Sequence, residues 1–440
     1  MTGNKTLQVT SLPRHSLIRN AVILDPVSGT EFPGEIRLKN GRIVEVGEKV
    51  QTDGARELDM GGKIVTHGFC DIHAHFREPG REDKETLETG ARAALAGGFT
   101  TVCVMPNTNP PLDRPESIRF VVEKSQDLPV RIHPIGAITV GLKGTELTEM
   151  GAMVREGAVA FSDDGVPVMD GGVMKRALEY ARPLGVPLIN HSEDLALKGD
   201  GQMNEGEWST RLGMAGISDV SESVMVARDV QLAEYTGGRL HVPHLSSRKT
   251  LTWIEHARAV GAHVTAEVTP HHLTFNHSAL ESFNTDLKVA PPVRSEKDRQ
   301  ALIKALKEGT IDCIATDHAP HTVEEKESPF DWAPWGMIGL ETAFGAAWKV
   351  LSAESVPLAE LIRFLTVKPR TVMGFEPNLF QEGIRAELTV LDPDVEWSFS
   401  RDDIYSKSRN TPFVGETLKG RILTVISRGK LFSFAREANP

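Results

Sequence analysis

At 440 residues the chain exceeds the size at which one hydrophobic core usually stops growing, and its 40% apolar and 25% charged residues are a soluble globular make-up, so a large domain with a smaller companion is expected. A formal net charge of -11, without clustered Lys and Arg, argues against nucleic acid or an anionic membrane as partner. The opening MTGNKTLQVTSLPRHS has no apolar core of signal-peptide length, and no stretch approaches the roughly 20 apolar residues of a membrane span, so the expected location is cytoplasmic.

In chain order, residues 17–48 alternate apolar and polar positions between turn signals at Asp25-Pro26, Ser28-Gly29 and Asn40-Gly41, the last a hairpin signal. From Val65 onward eight short apolar runs follow, at 68–75, 100–105, 130–138, 158–161, 186–190, 239–245, 263–268 and 311–316. Between them lie segments such as 84–96, 174–184 and 296–307, rich in the helix formers Ala, Leu, Glu, Lys and Arg. Strand and helix alternating eight times predict an α/β fold of the (β/α)8 TIM-barrel type. A doubly wound open sheet would usually carry a glycine-rich phosphate-binding turn after its first strand, which is missing here. Short strands return at 387–391 and 421–427. Neither flank has much core of its own, so both termini are expected to build one small β-sandwich from residues 16–66 and 376–438, beside a barrel spanning 67–375. Cys70, Cys103 and Cys313 are odd in number, far apart and set in apolar runs, and read as buried reduced thiols.

Catalytic residues of a barrel collect at the carboxyl ends of its strands. His73 and His75 end the first run, and side chains two apart on a strand project the same way. Asp163 and Asp164 follow the fourth run, His191 closes the fifth, His244 the sixth and Asp317 the eighth. Taken singly these are ordinary loop residues, Asp163-Asp164-Gly165 being a turn signal. Taken together, four histidines and two carboxylates form the mixture that zinc or another borderline metal needs.

The segments HAHFREPG at 73–80, GGFTTVCVMPNTNP at 97–110, NHSED at 190–194 and ATDHAPH at 315–321 resemble, in this order, the amidohydrolase superfamily and within it the dihydroorotases of bacterial class I. The resemblance runs through nearly the whole chain to Lys407-Ser408-Arg409-Asn410-Thr411-Pro412. It implies that His73, His75, His191, His244 and Asp317 hold one or two Zn2+ ions, Asp317 being also the acid/base. Asp164 stands where many relatives have a carboxylated lysine and some an aspartate. Arg77, Asn107 and His321 are implied to hold the substrate carboxylate and ring. For Arg77 the chemistry agrees, since a guanidinium two residues beyond His75 would share its strand face and offer a carboxylate a planar fork. Ala290 departs from the asparagine that relatives often carry there.

The implied reaction is reversible hydrolysis of dihydroorotate to N-carbamoyl-L-aspartate, the third step of pyrimidine synthesis, with metal-activated water attacking the ring carbonyl and Asp317 moving its proton to the departing nitrogen. Segment 141–151 is a candidate lid. The rivals are another cyclic amidohydrolase of hydantoinase or allantoinase type, opposed by Arg77, and an inactive structural partner of aspartate transcarbamoylase, opposed by the four retained histidines. A homo-oligomer is expected, with association to that transcarbamoylase within the family's range.

Overall fold

The computed structural model describes residues 7–434, so residues 1–6 and the last four positions of the expected terminal domain, 435–438, lie outside it. Each of the eight apolar runs holds or overlaps a strand, β2 starting one residue before its run and β4 ending one residue beyond: β1 Phe69–Ala74, β2 Phe99–Val104, β3 Arg131–Pro134, β4 Phe161–Ser162, β5 Leu188–Ile189, β6 Leu240–Val242, β7 Val264–Val268 and β8 Cys313–Ile314. Strands β1 to β3 pair in parallel, as do β4 to β8. Parallel single bridges join the two sets at both edges, Gly136 with Phe161 and Ala74 with His318. Pairing therefore runs in chain order, with a single bridge just beyond β3 and another just beyond β8 linking the two sets.

Parallel neighbours need long crossovers, and helices supply them. The principal ones after β1 to β8 are, in turn, α1 Leu87–Ala96, α2 Pro115–Ser125, α3 Met150–Arg155, α4 Gly171–Ala181, α5 Val220–Thr236, α6 Arg248–Ala259, α7 Glu296–Lys307 and α8 Ala343–Ala353. Their starts are written locally. Ser295 caps α7 by accepting from Asp298 N at 3.3 Å, while the Asp298 carboxylate accepts from Ser295 N at 3.2 Å, a reciprocal box that satisfies two orphan donors. The same helix turns Leu302, Ile303 and Leu306 into the core, at the i, i+1, i+4 spacing of one face. Cys70, Cys103 and Cys313 sit together in a fully buried cluster with Ile72, Ile135, Ala160 and Ile189, all three unpaired as expected.

The loop after β1 is fixed by Gly80, whose φ is +96° and where a Cβ would stand 1.7 Å from the Asn109 carbonyl oxygen. Only glycine allows that approach, which brings the 73–80 motif against the 97–110 motif.

Both termini enter one hydrogen-bonded sheet of nine strands. His15–Asp25 pairs antiparallel with Thr30–Lys39 and parallel with Ile64–His67, to which Leu388–Ser398 adds on the other side, followed by Thr417–Ser427. Asn40 and Gly41 both take positive φ, as the tight hairpin between Thr30–Lys39 and Arg42–Gly47 requires. The sheet begins earlier than the expected boundary at 16, because Gln8–Ser11 pairs with Lys430–Ser433. That strand is exposed at every position, so it carries no apolar alternation to betray it.

Candidate active site

Six nearly buried side chains meet beyond the carboxyl ends of β1, β4, β5, β6 and β8, with Asp164 at their centre. Its Oδ2 lies 3.6 Å from His73 Nε2 and 3.4 Å from His75 Nε2, while its Oδ1 lies 3.3 Å from His191 Nδ1 and 3.4 Å from His244 Nε2. Asp317 Oδ1 stands 3.5 Å from His73 Nε2 and 3.1 Å from His75 Nε2. Ligands about 2.0–2.1 Å from a tetrahedral ion are about 3.3 Å from one another, so the spacing is that of a coordination shell.

The hydrogen bonding fits an ion as well. His73 Nε2 and Asp164 Oδ1 are buried without a hydrogen-bond partner among the described residues, where buried polar atoms are normally satisfied. His191 Nδ1 and His244 Nε2 face each other at 3.1 Å, an arrangement that needs a shared proton or cation. The Asn107 side-chain oxygen lies 2.8 Å from His75 Nδ1 and accepts its proton, which leaves the Nε2 lone pair aimed at two carboxylates.

The charge balance points the same way. Burial disfavours the charged form of His73, but the Asp164 and Glu267 carboxylates outweigh it and hold the imidazole well above its ordinary pKa. His191 is likewise pushed up to about 9, Asp164 and Glu193 overcoming burial. Burial would raise Asp164, yet His73, His191 and His244 hold it well below the usual carboxylate range; the neighbouring His75 and His73 imidazoles do the same for Asp317 against its burial. The pocket keeps Asp164 and Asp317 ionised and favours positive charge on His73 and His191, whereas burial lowers the pKa of His75.

Backbone strain accompanies these positions. Arg77, His244 and Asp317 have φ of +59°, +34° and +48°, a left-handed region that costs a non-glycine residue of order 1–3 kcal/mol and is concentrated at functional sites. For Arg77 this corrects the strand-face argument, since β1 ends at Ala74 and a left-handed turn, not alternation, places the guanidinium.

Arg77 Nε donates to the Pro320 carbonyl at 3.3 Å, and Nη2 lies 3.5 Å from His321 Nε2. Burial lowers its pKa only to about 10, Asp317 and Asp164 favouring the charge, so it stays cationic at neutral pH. His321 Nε2 faces the Trp335 carbonyl at 2.8 Å and carries the proton, which leaves Nδ1 to accept from Lys84 Nζ at 3.0 Å. Burial, with Arg77 and Lys84 nearby, pushes it down to about 2, so it is neutral. Arg77 and His321 are thus neighbours, whereas Asn107 is brought to His75.

Asp163 goes elsewhere. Its carboxylate accepts from Thr139 N at 3.0 Å and from the Thr139 hydroxyl. Gly144 N in turn donates to that hydroxyl at 2.8 Å, and Gly141 N to Asp113 at 2.8 Å, so the 141–151 segment is tied to the array at points a hinged lid would have to break.

The residue that sequence reasoning missed is Glu267, in β7. Its Oε1 lies 2.6 Å from His73 Nδ1 and its Oε2 3.0 Å from His241 Nε2, which fixes the His73 tautomer and turns its other nitrogen to the site. A signal existed, because a carboxylate inside the apolar run Val264–Val268 must be paired wherever it is buried. Asp71 was also missed; it accepts from Thr316 N at 3.0 Å and His73 N at 3.2 Å and so locks the end of β1 to the segment after β8.

Residues 62–250 match the family described as Dihydro-orotase-like. Over 417 residues, 94% of this chain and 97% of the relative, the chain is 47% identical to a dihydroorotase of Pelotomaculum thermopropionicum. Over 416 residues, 94% of this chain and 98% of the relative, it is 43% identical to a dihydroorotase of Syntrophotalea carbinolica. Among solved structures it is similar to an L-hydantoinase (dihydropyrimidinase) from Arthrobacter aurescens, with a TM-score of 0.83 at 25% identity, covering 94% of this chain and 95% of that one.

Proposed function

The chain belongs to the dihydroorotase family, and from that premise we propose that it hydrolyses the ring amide of dihydroorotate to N-carbamoyl-L-aspartate and, in reverse, closes that ring in pyrimidine synthesis. The observation that carries the substrate is Arg77, a half-buried cationic guanidinium at the edge of an imidazole–carboxylate cluster. A ring that bears its own carboxylate can use that fork; hydantoin and allantoin rings cannot.

A divalent ion held by these residues, Zn2+ in this reading, supplies Lewis acidity and lowers the pKa of water toward about 7. His73, His75 and Asp317 would hold one ion and His191 and His244 a second, with Asp164 between them in the place of the carboxylated lysine of other relatives. Support comes from the division of its two oxygens between the two histidine pairs. Arg77 pairs with the substrate carboxylate and sets the approach of the ring, with His321 beside it, while the Asn107 amide meets the ring from the His75 side. Asp317, kept ionised, accepts the proton of the attacking water and delivers it to the departing ring nitrogen; ring closure runs these transfers backward.

The chain-order parallel pairing within β1 to β3 and β4 to β8, with a bridge at each seam, supports a (β/α)8 barrel over 67–375, and the composite sheet supports a small β-sandwich built from 16–66, extended to Gln8, and 376–438. No helix among the described residues is long and apolar enough to cross a membrane. A cytoplasmic homo-oligomer completes the reading, with association to aspartate transcarbamoylase within the family's range. Ultraviolet assays of dihydroorotate, hydantoin and allantoin with the metal-loaded protein test it. Dihydroorotate should be consumed far faster than the others, and a preference for hydantoin would overturn the assignment.

A further inference from the structure

A cavity of about 590 Å³ lies where the amino-terminal ends of β2 and β3 meet the terminal sheet, away from the cluster described above and within the size range of small-molecule sites. Its wall carries Arg42, Arg131, Arg370, Arg385 and Arg428 against two carboxylates, Glu376 and Glu387, in a chain whose net charge is -11. The amino-terminal face of such an array ordinarily serves stability, which needs no concentration of like charge.

The carboxylates do not discharge the arginines. Glu387 is taken by Arg131, and Glu376 accepts from Asn378 N at 2.9 Å and Gln381 Nε2 at 3.2 Å. Among the described residues the Arg42 and Arg428 side chains reach only backbone carbonyls, of Gly383 at 2.8 Å and Gln126 at 2.6 Å. The Arg385 side chain makes no hydrogen bond or ion pair among the described residues. Arg370, 4% exposed, gives Nη2 to Thr101 Oγ1 at 3.1 Å and to the Gly68 carbonyl at 3.4 Å, but its Nε has no partner among the described residues, and neither has the buried Nε of Arg428. Arg370, the one buried guanidinium of the five, has no carboxylate partner among the described residues, an arrangement that is costly unless an anion completes it. The field is felt by His133, which burial and then Arg131 and Arg370 push down to about 4.

We propose that this cavity binds a small phosphate-bearing anion at a site separate from the catalytic one. Phosphate suits it better than a lone carboxylate, because its dianion offers three strong acceptor oxygens to several guanidinium forks at once. His133 and Phe375, with ring centroids 4.6 Å apart and planes 31° apart, add aromatic surface to the lining that an organic remainder can contact.

Titration calorimetry of the metal-loaded enzyme with inorganic phosphate and with ribose 5-phosphate, in wild type and in R42A/R385A, tests the site. Saturable binding is expected in wild type, weakened at least tenfold in the variant, whose dihydroorotate turnover in phosphate-free buffer should be unchanged. Tighter binding of the ester identifies a phosphate monoester as occupant, and equal binding identifies inorganic phosphate. Arg385→Glu alone, at an exposed and unpartnered residue, repeats the test should the double variant not fold. No saturable binding at millimolar probe, or binding that both variants leave intact, overturns the proposal.

Discussion

Glu267→Gln would remove a charge and exchange one acceptor for a donor at a fully buried position that grips two imidazoles. Glutamine keeps one carbonyl oxygen. If that oxygen stays on His241, the amide NH2 faces His73 Nδ1 and forces it to accept, which moves the His73 proton to Nε2, the nitrogen turned toward Asp164 and Asp317. A protonated Nε2 cannot be a metal ligand. If the oxygen stays on His73 instead, His241 must take the other tautomer and give up its present bond to Thr265 Oγ1, 2.8 Å away, or turn that hydroxyl around. Loss of such an outer partner typically costs 10–100-fold in metal affinity or activity, about 1.4–2.7 kcal/mol, and the double engagement places this residue toward the upper end. Burial alone would raise the Glu267 pKa, but His73 and His241 lower it to about 2, so its contribution is full above about pH 4.5 and the substitution removes all of it at neutral pH. The assay is chelator competition for the bound metal alongside dihydroorotate turnover, with circular dichroism to verify the fold. Metal affinity within twofold of wild type would refute the tautomer argument.

Asp317→Asn should abolish turnover while the fold and most of the bound metal remain; retained activity would remove Asp317 from its role as acid and base. Arg77→Lys keeps a charge but loses the planar fork, so KM for dihydroorotate should rise at least tenfold with slow hydantoin hydrolysis unaffected, and equal losses on both substrates would show that Arg77 does not read the carboxylate. In the metal-free protein His191 titrates near 9, above its unfolded value of about 6.5, so it stabilises fully below that value and the contribution is lost as pH rises through 9. The melting temperature of the metal-free protein should therefore fall between pH 6.5 and 9. Metal uptake at pH 7 should also expel protons, visible as a binding heat that changes with buffer ionisation enthalpy, and a buffer-independent heat would contradict the charge balance derived for the site.

What was legible in the sequence follows from how local each feature is. The pair His73 and His75 could be read because strand alternation is a property of three residues, and the eight runs because a buried parallel strand is apolar along its whole length. Placing Asp164, His191, His244 and Asp317 with them needed only the rule that loops after parallel strands share one end of the array. Gln8–Ser11 was illegible for the opposite reason: an exposed edge strand is held by backbone pairing to residues more than 400 positions away and leaves no trace in its side chains. Glu267 falls between these cases. Its charge within Val264–Val268 was visible, but its partners His73 and His241 come from two other strands, so sequence could say that it must be paired and not with what. The arginine cavity is the extreme instance. Its five guanidinium groups come from positions 42 to 428, none in a basic run, so a chain that reads as uniformly acidic conceals a positive site that only folding assembles. Functional residues at strand ends are announced by the periodicity that places them; those that orient or neutralise them are announced only by a violation of the local pattern.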